Sequence, residues 1–379
     1  MRIAYYAPLK APDHPVASGD RELARGLLHA LRATGHDVTL ASRLRSFDGG
    51  GDPVRQARLR RIGLRVAERL ITRWQRDDRP DLWFTYHLHH KAPDFLGPAA
   101  SRVLGIPYVV AEASISPRQR TGPWAEGYAD ALAAIRAADS VLFLNPADVP
   151  EVRKVRPAEA AAATLAPFID VARFTGNRSR AIGRPGPDTP VRLITVAMMR
   201  EGAKLASYRA LAAALERLVD LRWELSIVGD GPARAEVAAA FAKLSSRVSL
   251  LGARPATDVA TLLEASDVFA WPAIDEAIGI VFLEAQACGV PVVGANTVGV
   301  ASVVAAGRTG LLVPPGDVGG LAAAIGTLLL DPALRRGMGA NAFDHVREHH
   351  DLPTAATRLD AILRSVVRRH RAAPIEITC

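Results

Sequence analysis

The sequence predicts an α/β protein built from two doubly wound, Rossmann-like domains facing each other across a cleft. Three observations carry this. Short apolar runs alternate with helical patterns along nearly the whole chain, the signature of βαβ crossovers and parallel sheets. That rhythm breaks once, over residues 165–190, where Pro, Gly, Arg and Asp replace any periodicity. And 379 residues exceed what one hydrophobic core usually serves.

RIAYYAP at the start reads as a strand, and DRELARGLLHALRATG as a helix closed by Gly35. DVTLAS is the next strand, followed by an Arg-rich helical pattern from Val54 to Gln75. LWFTYH, PYVVAE and SVLFL are further strands. After the break, VRLITVAM, RWELSIVG, VSLLG, DVFAWP, PVVGA and TGLLVP read as strands. Between them SYRALAAALERLVD, ARAEVAAAFAKL, TDVATLLEA, IVFLEAQAC and GGLAAAIGTLLL read as helices. The expected division is a first domain over 1–168, a linker over 169–190 and a second domain over 191–351. A last helix over 352–371 can pack back on the first domain. Ligands of such sheets lie at the carboxyl ends of strands near the topological switch point, so the cleft is the expected site.

Composition narrows the function classes. The apolar share of 49% and charged share of 23% are those of a globular protein. Neither Cys288 nor Cys379 has a partner at metal-ligand spacing, which fits a reducing compartment. The opening MRIAYYAPLK is not a signal peptide pattern, and no run of about 18 apolar residues occurs. A cytoplasmic protein is expected, peripheral at most to the inner face of a membrane. The net charge of +8 is concentrated: eleven arginines lie between Arg43 and Arg79 against five acids. Such a face suits an anionic membrane surface, or is a solvated helix face. No aromatics interleave with the charges, so nucleic acid is not expected as a partner. No G-x-G-x-x-G follows a strand, which disfavours a nicotinamide dehydrogenase.

The most informative segment is DEAIGIVFLEAQACGVPVVG, residues 275–294. Gly279 opens a helix whose Val281, Phe282, Ala285 and Cys288 can face a core. The unpaired amides of such a helix start attract anions. Glu276 stands before it and Glu284 about one turn inside. A nucleoside diphosphate laid across the helix end would bring a polyhydroxyl ring to each acid, and a carboxylate accepts from two vicinal hydroxyls.

With its flanks, this segment resembles the large retaining glycosyltransferase family called group 1, or family 4. Its E-x7-E motif is present as Glu276-AIGIVFL-Glu284; LEAQACGVPVVG, GRTGLLVPPGD and LSIVGDGPARAEV match neighbouring family segments. The likeness runs from about Arg192 to Asn341 and more weakly through the first domain. It implies the GT-B fold, with Glu284 on the ribose hydroxyls and Glu276 at the donor sugar. The amides of Gly279 and Ile280 would meet the diphosphate or sugar, and Gly229 and Asp230 the nucleotide. The family's Arg and Lys beside the leaving diphosphate correspond to Arg200 and Lys204. Its glycine loop after the first strand, which approaches the donor phosphate, corresponds to Ser18 and Gly19, where many members have two glycines. A departure follows the strand IPYVVAE: where many relatives place a histidine, this chain has Glu112. Either Glu112 does that work, or His87, His89 or His90 reaches in. Arg118 and Arg120 on the next loop are candidates to meet an anionic acceptor, or are surface charge. The HLHH cluster lacks an acidic partner nearby in sequence, so no metal site is expected, and no cofactor beyond the nucleotide sugar itself.

The expected activity is a retaining, metal-independent transfer of a sugar to a glycan or lipid-linked acceptor in cell-surface polysaccharide or lipopolysaccharide synthesis. Its alternatives are a nucleotide-sugar epimerase or hydrolase on the same fold, and a non-catalytic nucleotide-sugar-binding protein.

Overall fold

The computed structural model describes residues 1–16, 18–157, 160–174 and 189–372; Cys379 and positions 175–188 of the expected linker lie outside the described residues. The chain forms two compact units, Met1–Ala166 with Leu352–Cys379, and Pro167–Asp351.

Unit 1 holds six strands: β1 (Arg2–Tyr6), β2 (Asp37–Ser42), β3 (Leu82–Leu88), β4 (Tyr108–Ala113), β5 (Ser140–Phe143) and β6 (Ala161–Thr164). They pair in parallel in the order β2-β1-β3-β4-β5-β6, so the switch point lies between β1 and β3. Every residue of β4 and β5 is buried, as a sheet covered on both faces requires. The helices are α1 (Gly19–Ala33), α2 (Pro53–Arg76), α3 (Gly97–Leu104), α4 (Ala125–Ala137) and α5 (Val149–Val155). Ser18 caps α1 by accepting from the Arg21 amide, and Leu23, Leu27 and Leu31 recur every four residues on its buried side. Asp52 and Pro53 start α2 in the same way.

Unit 2 repeats the scheme with β7 (Val191–Val196), β8 (Trp223–Val228), β9 (Val248–Gly252), β10 (Val268–Trp271), β11 (Val292–Ala295) and β12 (Gly310–Val313). The parallel order β12-β11-β10-β7-β8-β9 puts its switch point between β7 and β10. Its helices are α6 (Ala203–Glu216), α7 (Arg234–Ala240), α8 (Ala256–Glu264), α9 (Ile280–Ala287), α10 (Val298–Ala301), α11 (Val318–Leu330) and α12 (Pro332–His349). The final helix, α13 (Leu352–Ala372), packs on α1 in unit 1, where His36 meets Asp360 at 2.9 Å and His370 meets Asp139 at 2.8 Å. Where the chain enters and leaves unit 2, the two passes are laced together. The Ile169 amide donates to the His350 carbonyl, and the Val171 amide to the Asp351 carboxylate.

The face of α9 differs from expectation. Val281 and Cys288 are only half-buried, while Leu283, Gln286 and Ala287 are buried with Phe282 and Ala285. The helix is covered around most of its circumference, and buried Gln286 donates to the carbonyls of Phe282 and Val303. No single helix among the described residues is long and apolar enough to cross a membrane.

Candidate active site

In unit 2 the polar residues gather where β7 and β10 end. The loop after β7 carries Arg200, which is exposed and has no side-chain partner among the described residues, and the first turn of α6 carries Lys204. After β10, Trp271 and Pro272 lead into a contorted loop: Ala273, Asp275 and Gly279 take φ of 54°, 52° and 72°. Two of these are not glycine, and such left-handed residues cost of order 1–3 kcal/mol each unless their surroundings hold them. The surroundings do so here. The Ile274 amide donates to the buried Ser207 hydroxyl of α6 at 3.0 Å, and the Glu276 amide to the Ala273 carbonyl.

The contortion delivers Glu276 to Lys204. Its Oε2 accepts from the Lys204 ammonium, and from the Trp271 indole N–H at 3.3 Å. The Trp271 ring is buried, packs edge-on against Tyr208 at 4.9 Å and lies 5.4 Å beneath the Lys204 Nζ. Oε1 has no protein partner among the described residues. A cation and a carboxylate thus neutralise one another at the switch point, each partly open to solvent, each able to exchange its partner for a ligand group.

Beside them α9 begins without a side-chain cap, its first residue preceded by Gly279. A side chain at Gly279 would place its Cβ 2.8 Å from the Phe282 ring, in a backbone conformation that L-residues avoid. The start of α9 therefore has no side-chain cap; the Phe282 amide turns back to the Gly279 carbonyl, which leaves the amides of Ile280 and Val281 for water or an anion. Glu284 lies half-buried on α9 and already has interactions within the protein.

Gly229 has a packing reason of its own. At φ 147°, an added Cβ would stand 1.9 Å from the Ala197 carbonyl oxygen. The β7 and β8 loops cross there, tied by the Met199 amide on the Asp230 carbonyl. The Asp230 carboxylate meets Arg234 at 3.6 Å and accepts from the Gly231 amide.

In unit 1 a second polar group forms at the matching place. Ser18, besides capping α1, accepts from Lys10 Nζ at 2.8 Å. Gly19 opens α1 with free space where a side chain would stand. His87 and Glu112, near the ends of β3 and β4, both have left-handed backbones, at φ 61° and 60°. His87 Nδ1 meets the Asp20 carboxylate at 2.9 Å. Burial pulls the His87 pKa down, but Asp20, Glu112 and Asp148 outweigh it and raise it. Glu112 Oε2 accepts from the amides of Leu144 and Asn145, each at 3.2 Å. Desolvation pushes its carboxyl up to about 7, and that of Asp148 to about 6.

The rings of His87, His89 and His90 form a chain with centroids 5.0 and 5.5 Å apart, and His90 abuts Trp124. His89 is held well below its ordinary pKa by burial and then by His87, and His90 is lowered by burial. No group of three or more metal-ligating side chains is arranged for a metal ion among the described residues. Arg118 and Arg120 are exposed on a short turn after β4.

Sequence reasoning passed over Asp20, Asp148 and Trp271. Asp20 reads as an ordinary first-turn acid of a helix, and only the β1–β3 pairing brings it to His87, 67 positions away. Trp271 reads as a strand end.

Residues 190–331 match the family model of glycosyl transferases group 1. A D-inositol 3-phosphate glycosyltransferase of Corynebacterium jeikeium (strain K411) is 33% identical over 192 residues, covering 47% of this chain and 46% of that protein. A GDP-mannose-dependent monoacylated alpha-(1-6)-phosphatidylinositol monomannoside mannosyltransferase of Corynebacterium glutamicum is 39% identical over 152 residues, 38% of this chain and 40% of that protein. The chain thus spans under half the length of these two curated relatives. The crystal structure of Anabaena Alr3699/HepE in complex with UDP-glucose superposes with a TM-score of 0.71 at 19% identity, covering 96% of this chain and all of that one, 100%.

Proposed function

We propose that this chain, whose two Rossmann-like units have the GT-B fold and whose residues 190–331 match the family model of group 1 glycosyl transferases, moves a sugar from a nucleoside diphosphate sugar to a hydroxyl acceptor. The observation that carries this reading is the Lys204–Glu276 pair at the unit 2 switch point, beside the bare start of α9. A bound donor would offer both partners a better match. Its diphosphate draws Lys204 and the exposed Arg200, with the α9 amides sharing the charge. Glu276, released from the ammonium but still held by Trp271, receives hydroxyls of the donor sugar. Glu284 serves the ribose, exchanging its present contacts.

In the reaction the bond from the anomeric carbon to the diphosphate oxygen breaks, and one to the acceptor oxygen forms on the same face. The acceptor proton passes to the departing diphosphate. Retention and metal independence belong to this reading: the two cations and the helix amides stabilise the charge that grows on the leaving group. The histidines of unit 1 serve the acceptor side, as do Arg118 and Arg120 where the acceptor is anionic. A lipid-linked or phosphate-bearing acceptor is supported by the substrates named for the two Corynebacterium relatives. It is also supported by eight exposed arginines on α2, of which Arg55 and Arg60 have nearby carboxylates at 3.9 and 3.6 Å. Each arginine near an anionic membrane contributes about 1 kcal/mol of attraction.

Thermal shift against UDP-glucose and GDP-mannose, followed by product analysis with D-inositol 3-phosphate and with water alone as acceptor, tests the reading. Binding and sugar transfer by the wild type, with turnover lost in Glu276→Ala, are expected. Donor breakdown at one rate whatever the acceptor would make the chain a hydrolase instead. Co-sedimentation with anionic vesicles at low salt checks the membrane part, which fails if the chain stays in the supernatant.

A further inference from the structure

The reaction above gives no part to Asp20, which pairs with His87 at the unit 1 switch point. Asp20 sits in the first turn of α1, directly after the β1 loop; His87 sits near the end of β3. These two elements flank the place where the strand order reverses, which is where ligands of open α/β sheets bind. The Asp20 carboxylate takes His87 Nδ1 at 2.9 Å, and no protein group among the described residues takes Nε2. His87 holds a left-handed backbone that a β-strand residue does not adopt unless compelled. Its neighbour Glu112 is differently placed: one carboxylate oxygen is already bound by two backbone amides of the β5 end.

We infer that Asp20 is a positioning residue for His87, fixing the imidazole by Nδ1 so that Nε2 faces a hydroxyl or ether oxygen of the substrate in unit 1. The inference rests on the transfer reading and deepens it by choosing His87 over Glu112 for the polar role at this edge. An imidazole anchored at one nitrogen has one tautomer and one orientation, and its second nitrogen becomes a directed group. The titratable groups facing the pair are Lys10 on the β1 loop, Glu112 on β4, Asp148 at the start of α5 and His89 beyond β3; Tyr86 packs against the ring. Three of the facing side chains, counting Asp20, are carboxylates that favour the protonated ring, in which Nε2 carries a hydrogen to donate.

The test uses the full chain labelled with 15N-histidine, with His87→Gln assigning the resonance. In the wild type His87 should titrate above the ordinary histidine range with Nδ1 bonded; in Asp20→Asn that titration should move to lower pH. UDP or GDP release is then followed with whichever of UDP-glucose and GDP-mannose the wild type turns over. Asp20→Asn should lose roughly 10- to 100-fold, the rate equivalent of one hydrogen bond to a charged group, and its alkaline limb should move with the histidine. The double variant Asp20→Asn/His87→Gln should be no slower than His87→Gln alone, since Asp20 acts through the ring. Additive losses, or an unmoved titration, would overturn the assignment. A wild type that releases neither nucleotide sinks the transfer reading, and the histidine titration then judges the pair by itself.

Discussion

Glu112→Gln tests how the fold carries this buried acid, and the size of its effect follows from the site. The Glu112 carboxyl, at 6% exposure, is pushed from 4.5 up to about 7, first by desolvation. A raised carboxyl pKa means that the folded chain keeps a proton which the unfolded chain has released between pH 4.5 and 7. Stability is therefore undiminished below the unfolded value and falls as pH climbs through this window. The loss levels off above about 7, at about 3 kcal/mol for a difference of about 2.5 pH units. Glutamine offers the same oxygen to the amides of Leu144 and Asn145 without a charge to desolvate. The variant should match the wild type at pH 4.5 and exceed it at pH 8 by up to about 3 kcal/mol, or a melting temperature higher by about 6–12 °C. Denaturation followed at both pH values measures this. A variant that is less stable at pH 8, or whose advantage does not grow from pH 4.5 to 8, would refute the desolvation argument.

Lys204→Met removes one of two cations at the proposed leaving group, so kcat should fall about 100- to 1000-fold, read as nucleoside diphosphate release. A fall of less than about threefold would return Lys204 to a structural partner of Glu276. Trp271→Phe deletes the N–H on Glu276 Oε2 and leaves a small void in a fully buried site. The expected cost is about 1–3 kcal/mol of stability, with kcat/KM about tenfold lower. Unchanged kinetics beside lowered stability would show that the indole only packs. Gly229→Ala drives a methyl against the Ala197 carbonyl at a backbone angle closed to alanine, and should destabilise unit 2 by about 3 kcal/mol or more. Wild-type melting of this variant would mean that the β7 and β8 loops do not cross as described.

The fold was legible because parallel strands buried on both faces spell themselves as apolar runs. RIAYY, YVVAEA and VRLITV need no context to be read. The elements that escaped lack that signal. β6 is AAAT, with one β-branched residue at its end, and α12 mixes apolar and charged residues with little amphipathic bias. Of the candidate site residues, Glu276 and Lys204 are both named by the resemblance, and the structure brings them into contact. Their link to Trp271 was not legible, because an indole N–H five positions upstream reaches the acid only through the two left-handed residues between them. Asp20 was hidden for a different reason: its partner lies two strands away, and a first-turn acid already has a sufficient local explanation in the helix dipole.

Five non-glycine residues have positive φ among the described residues: Asp78, His87, Glu112, Ala273 and Asp275. Four of the five stand at the carboxyl ends of strands beside the two switch points. At an energy of about 1–3 kcal/mol each, a chain under selection for stability alone would have relieved them with glycine or a longer loop. What they do instead is aim side chains: the bends at Ala273 and Asp275 turn Glu276 onto Lys204 and Trp271, and that at His87 turns an imidazole onto Asp20. The same physics acts in both units, yet with unlike chemistry. In unit 2 the aimed pair is a lysine and a carboxylate beside a bare helix start, suited to an anion with hydroxyls at its end. In unit 1 it is a histidine among carboxylates, suited to a neutral oxygen. The proposed transfer, from a phosphate-activated sugar to an alcohol, needs one site of each kind.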